Sequence, residues 1–195
     1  LRFDRYSTFG GSTNPRVGLI YRPAEKTTVK FLYGQAFRAP NAYEMFYTSG
    51  TSDKANPFLQ PESIKTGEVT MEQYFGEHIR ISALAYRYWI KGLITQTTDP
   101  LDGRITYLNL GRVETEGLEM ELEGKWARGF GGRVNYTFQG VQDENTGAVL
   151  SNSPRHLGKV NLTIPLVPRK IFAGMEIQYG SKVLTLAGTF QGSSG

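Results

Sequence analysis

Glu119, Glu121 and Glu123 alternate along one stretch and would share one face of a strand. Clustered carboxylates can do acid–base work or hold a metal, but strand neighbours two positions apart stand about 7 Å from each other. No second ligand type accompanies them, and Glu68 with Glu72 is the same case. Both sets read as a polar wall against water or another protein surface. His156 lies close to Ser151 and Ser153, but no acid is placed to orient it and no glycine elbow surrounds either serine. With two histidines and no cysteine, disulfides, thiolate metal sites and histidine-rich zinc sites are all excluded. No glycine-rich loop leads a strand into a helix, so no nucleotide cradle is present. No residue is therefore assigned as catalytic or metal-ligating, and no cofactor is expected. The better candidate is a loop. Pro40 and Pro61 bracket a long connection that carries Tyr43, Glu44, Phe46 and Tyr47. The aromatics offer flat faces to a ligand, and Arg38 beside them suits an anionic one. The competing reading is that Arg38 belongs to the rim and the tyrosines pack the loop.

The elements that must position these residues are strands. Leu1 to Tyr6 reads as a strand tail and Ser7 to Pro15 as a turn-forming cluster. Strands are predicted at Arg16–Tyr21, Thr28–Arg38, Ile64–Phe75, His78–Gln96 and Arg104–Trp126, then around Val134–Phe138, Val160–Ile164 and Met175–Tyr179. Alternation is clean where Leu118, Met120 and Leu122 interleave with the three glutamates. Pro165 to Arg169 is expected to turn the chain, and the residues after Tyr179 to begin one more strand.

Net charge is a mild +4, from 22 basic and 18 acidic residues that are scattered, so no nucleic-acid partner is expected. No run is long and apolar enough for a transmembrane helix, and Leu1-Arg-Phe-Asp-Arg-Tyr reads as a strand end, so no signal peptide is expected there. The 23 glycines, 11 tyrosines and 11 phenylalanines point to an all-β protein.

A soluble sandwich also shows one apolar and one polar face. Three features favour an antiparallel transmembrane β-barrel instead. Connections alternate, short after Tyr21, Phe75, Trp126 and Leu166 but long after Arg38, Gln96 and Val141, as in outer-membrane barrels. Arg104–Trp126 as one strand would extend about 70 Å, far beyond a sandwich strand. Opposite the apolar positions stand Glu, Gln, Asn and Thr, which suit a wet lumen. Tyr21, Tyr74, Phe75, Trp126, Phe130 and Phe172 sit near the short turns, where an interfacial girdle belongs. Arg87 follows Ile79, Ile81, Ala83 and Ala85 on the lipid face. Counting about 9–11 residues for a crossing puts it at the outer interface.

Phe37-Arg38-Ala39-Pro40, followed by Asn56-Pro57-x-Leu59-x-Pro61-Glu62, resembles the barrel of a TonB-dependent outer-membrane receptor. Tyr107-Leu-Asn109-Leu-Gly111 with Thr115-Glu-Gly117-Leu-Glu119, and later Asn152-Ser-Pro154-Arg-His156, extend the likeness along nearly the whole chain. The resemblance implies a barrel of about 22 strands, of which about nine are traced here. It also implies a plug domain and an energy-coupling box, neither of which is found. Residues 1–195 are thus expected to be the C-terminal part of such a barrel, a fragment without its plug and last strands. Its open edges would be aggregation-prone alone. The implied function is uptake of a ferric siderophore or cobalamin across the bacterial outer membrane, without bond chemistry. The implied partners are the metal chelate, the TonB complex acting through the plug, and outer-membrane lipid. Arg38, Tyr43, Phe46 and Tyr47, picked out above by residue type, are the expected ligand contacts. Haem receptors of the family carry a histidine between the two loop motifs, and none lies between Pro40 and Asn56. A passive porin-like channel, or a surface adhesin or soluble sandwich, remains the alternative.

Overall fold

The computed structural model describes residues 1–6, 9–109, 111–144, 146–185 and 189–192. A first hairpin pairs β1 (Arg2–Tyr6) with β2 (Gly10–Asn14). Then follow β3 (Arg16–Ala24), β4 (Thr27–Arg38), the short helix α1 (Ala42–Phe46), β5 (Glu62–Phe75) and β6 (Ile79–Lys91). Next come β7 (Ile94–Thr98), β8 (Ile105–Asn109), β9 (Arg112–Lys125), a 3₁₀ turn (Ala127–Gly129), β10 (Gly131–Asp143), β11 (His156–Val167) and β12 (Ile171–Gly180). Short β13 (Val183–Leu184) and β14 (Phe190–Gln191) end the described chain. Eight of these strands form one antiparallel sheet in the order β12-β11-β10-β9-β6-β5-β4-β3.

Register explains the two faces. One row crosses the sheet as Tyr21, Val29, Met71, Ala83, Met120, Tyr136, Gly158 and Tyr179. On the other face Thr28, Glu72, Ser82, Glu121, Asn135, Lys159 and Gln178 line up. Because side chains alternate with period two, this register sorts the apolar residues to one side of the sheet and the polar ones to the other. The large residues of the apolar rows stay exposed, and among the described residues no layer covers them. On the polar face, charges alternate across strands. Lys30 meets Glu72 at 2.8 Å, Arg80 reaches Glu72 (3.7 Å) and Glu123 (3.2 Å), and Arg133 reaches Glu123 (2.7 Å) and Glu121 (3.6 Å). Of the glutamates singled out from the sequence, Glu72, Glu121 and Glu123 are therefore paired with cations on neighbouring strands, whereas Glu119 accepts a hydrogen bond from Asn135 at 2.7 Å and Glu68 one from the Tyr88 hydroxyl at 3.2 Å.

Four differences from the expected elements have physical causes. Gly10–Asn14 is a strand, not a turn, because β1 supplies a full ladder and Asn14 tucks in with its amide donating to Ser12 and Asp4. The stretches read as single long strands, 78–96 and 104–126, each break once. Lys91 faces Arg112 and Ile94 faces Asn109, so register passes through the break unshifted, and Gly92 takes the left-handed conformation (φ 69°) that the bend needs. Pro165 lies within β11 beside a bulge, and the turn comes three residues later. A helical turn, α1, interrupts the long loop, where Asn41 and Glu44 form a reciprocal capping box. Ser7 and Thr8 of the expected turn, Leu110 of the Tyr107–Gly111 motif, Asn145 of the polar loop, 186–188 of the last expected strand and 193–195 lie outside the described residues. Connections do alternate, short at 25–26, 76–78, 126–130 and 168–170, and long at 39–61, 99–104 and 144–155.

Candidate ligand-binding site

The loop 39–61 leaves β4 at Arg38 and returns into β5 at Glu62, and these two residues are direct cross-strand partners. The Arg38 guanidinium donates to both Glu62 oxygens, Nε to Oε2 at 2.9 Å and Nη2 to Oε1 at 2.6 Å. Its third nitrogen donates to both oxygens of Glu44 at 2.9 and 3.1 Å. Glu62 is only 4% exposed and also accepts from the Ile94 backbone N–H at 2.7 Å. The bond to Glu62 is the main reason that Arg38 is held protonated even more firmly than an ordinary arginine.

From Glu62 the loop can be followed backwards across the β7–β8 hairpin. Gln60 exchanges two hydrogen bonds with the Asn109 side chain, each 2.8 Å, and the same amide donates to Gly92 O at 2.7 Å. Leu59, 1% exposed, packs with Ile94 and Met45, with Tyr107 against them. Asn56 donates to Tyr107 O, and Ser52 and Lys54 pair with the backbone of Ile105 on the free edge of β8. At the hairpin tip the Lys54 ammonium meets Asp99 and Asp102. Ile94 and Tyr107 continue the parity of the polar face, because register is unbroken from β6–β9 into β7–β8. The loop therefore lies over the polar side of the hairpin, as a strap across the open end of the sheet.

On this strap Tyr43 and Tyr47 stack with centroids 4.4 Å apart at 17°, and Tyr43 meets Tyr107 edge-on at 6.3 Å. Tyr43, Phe46 and Tyr47 keep 53%, 60% and 43% of their surface exposed. Arg38, Tyr43, Phe46 and Tyr47 thus share one loop, with Arg38 at its base. Sequence reasoning missed Glu62 and Asn109 as anchors although both stood inside quoted motifs. It also missed the pairing of Lys54 with Asp99, which has no local signal across 45 positions.

The description "TonB dependent receptor-like, beta-barrel" fits residues 1–191. The chain belongs to that family. Its apolar face is the lipid face of an outer-membrane barrel and its polar face lines the lumen, with short turns inside and long loops outside. Among relatives of the TonB-dependent receptors, the chain is 27% identical over 213 residues to heme/hemopexin utilization protein C of Haemophilus influenzae, covering 92% of this chain and 30% of that protein. It is 28% identical over 165 residues to vitamin B12 transporter BtuB of Vibrio cholerae, covering 84% and 25%. In fold it is similar to a point mutant of the ferric enterobactin receptor PfeA of Pseudomonas aeruginosa in complex with enterobactin, with a TM-score of 0.73 and 21% identity over 94% of this chain and 30% of that one. The siderophore receptor PirA of Acinetobacter baumannii gives a TM-score of 0.75 at 17% identity, over 98% and 31%. The chain therefore spans 25–30% of the length of these two relatives.

Proposed function

We propose that this chain belongs to a receptor for TonB-dependent uptake of a scarce metal chelate, a ferric siderophore or cobalamin, across the outer membrane. The observation that supports this best is the strap. Its polar groups are bonded to the hairpin beneath it, while Tyr43, Phe46 and Tyr47 stay exposed at the outer end of the sheet. Such a surface offers aromatic contact to a large, partly flat ligand without first having to be ordered. We assign direct contact to the three aromatics. Arg38 serves the same site by seating the loop, since its donors already face Glu62 and Glu44. Residues 1–195 are read as the C-terminal part of the barrel in a longer receptor, whose plug couples to TonB. In this reading no bond is made or broken, so the protein is not an enzyme.

The test is uptake of radiolabelled ferric enterobactin and of radiolabelled cobalamin by cells expressing the full receptor, with and without TonB. TonB-dependent accumulation of one of them is expected. Accumulation that persists without TonB, or steady ion conduction in planar bilayers, would mean a passive channel instead.

A further inference from the structure

A second site lies on the lipid-facing side, opposite the strap. Register sets Arg87 beside Gly67 and Glu116, then Trp89 beside Lys65 and Glu114, then Lys91 beside Ser63 and Arg112. These rows follow directly on the apolar row of Ala85, Val69 and Leu118. They stand where hydrocarbon gives way to headgroups, and Trp89 is a residue type of that boundary. Arg87 is already engaged by Glu114 and lies 5.5 Å from the Trp89 ring centroid. Arg112 has only a loose, exposed pairing with Glu144 at 3.8 Å. Among the described residues, Lys65 and Lys91 have no carboxylate within 4.0 Å.

Between these two lysines opens a groove of about 490 Å³, walled by Ser63, Lys65, Trp89, Lys91, Arg112 and Glu144. Its one acid, Glu144, is offset by Arg112, which leaves both lysines uncompensated. The other end of the same strands differs: the corresponding lipid-facing positions are Phe75, Ile79 and Gly124, none charged. At the lipid-facing positions of β5, β6 and β9 the uncompensated cations stand at the outer end, beside an interfacial tryptophan, where they are complementary to an anion held in the outer leaflet. We propose that this groove binds the anionic phosphate headgroup of an outer-leaflet lipid, with Lys65 and Lys91 donating to phosphate oxygens. The inference needs only the membrane placement of the sheet and holds whatever ligand is imported.

Native mass spectrometry of the full receptor in detergent, titrated with phosphatidylglycerol or phosphatidylcholine, tests it. Phosphatidylglycerol is expected to bind more tightly. In the Lys65→Gln/Lys91→Gln variant its affinity should fall by about fivefold for each lysine removed. Lys65→Arg with Lys91→Arg should retain binding. Lys26→Gln with Lys170→Gln removes the same charge at the inner turns and should change nothing. Equal affinity for the two lipids, an equal loss in the inner-turn variant, loss in the arginine variant, or inorganic phosphate competing as well as the lipid would each overturn the proposal.

Discussion

Arg38 and Glu62 face each other across β4 and β5 and are joined by two hydrogen bonds, so one ion pair closes the base of the loop 39–61. Glu62 is nearly buried while the Arg38 side chain is 42% exposed. Breaking a fully buried pair costs about 3–5 kcal/mol, and the exposure of Arg38 reduces this to about 2 kcal/mol. Glu62→Ala should therefore free the strap while the sheet persists. Hydrogen exchange across residues 42–60 should quicken by more than tenfold, with β9 and β10 unchanged. Unaltered exchange in the loop would show that the pair does not hold it.

Asn109 is the second anchor, and its chemistry makes a sharper test. Its amide uses both hydrogens, toward Gln60 O and Gly92 O, and its oxygen accepts from Gln60 N–H. Asn109→Ala loses three partly exposed bonds, about 2–3 kcal/mol in all. Asn109→Asp keeps the acceptor but turns a negative charge toward two carbonyl oxygens. It should loosen the strap at least as much, despite being nearly isosteric. Proteolysis of intact cells within 49–60 reads both, and an Asp variant as resistant as the parent would remove Asn109 from this role.

Legibility tracked the range of the interactions. Strands with strict alternation, such as Glu119 to Glu123 against Leu118 to Leu122, were readable because a period of two leaves one face no choice. Gly10–Asn14 was not, because Gly, Ser, Thr and Asn are turn formers and only the partner strand makes them extended. The breaks at Gly92 and Gly111 were missed because the register passes through them unshifted, so each stretch still reads as one strand. In the loop, Arg38 and the tyrosines stood out by type. What holds them, Asn109 on Gln60 and Lys54 on Asp99, spans about half a hundred positions and leaves no local pattern. The capping box of α1 does leave a local pattern, Asn41 and Glu44 at its diagnostic spacing, and it was missed.

The tip of the strap should be sensitive to acid. Hydrogen bonding from Lys54, then from the Leu101 N–H, holds Asp99 below its ordinary 3.8, and Arg104 does the same for Asp102. Ser49 and Ser52 lower Asp53. A carboxylate depressed on folding stabilises the fold above its unfolded value, and that contribution is lost as pH falls through the folded value. The tip should therefore be intact at neutral pH and open only below pH 3.8. Lys54→Gln should weaken it already at pH 7. Hydrogen exchange of residues 49–56, corrected for intrinsic rates, checks both, and opening above pH 5 in the parent would contradict the assignment.

Met120 sits midway along the lipid-facing positions of β9 between Glu116 and Gly124, whereas Gly140 is level with Glu116 near the outer interface. An arginine costs about 2–4 kcal/mol at the bilayer midplane and about 0–1 near its edge. Met120→Arg should thus impair assembly of the receptor, while Gly140→Arg, where an added Cβ meets nothing within 4 Å, should not. Heat-modifiable migration of the membrane-assembled protein separates the two. Equal tolerance would place this face against something other than lipid.

The aromatics of the strap separate contact from support. Tyr43 and Tyr47 lie stacked and exposed, whereas Met45 between them is buried with Leu59 and Ile94. Removing a ring that touches the ligand forfeits about 0.5–1.5 kcal/mol, so Tyr43→Ala, Phe46→Ala and Tyr47→Ala should each weaken chelate binding by about 3–10-fold. Loop exchange should change little in these variants. Met45→Ala should do the reverse first, quickening loop exchange by leaving a cavity under the helix, with binding weakened as a consequence. Calorimetric titration with ferric enterobactin and with cobalamin, set beside exchange data for each variant, tells the cases apart. If all three aromatic variants bind as the parent does, the exposed rings pack the rim and the ligand is held elsewhere. If exchange and affinity move together in every variant, the aromatics act only through the fold of the loop.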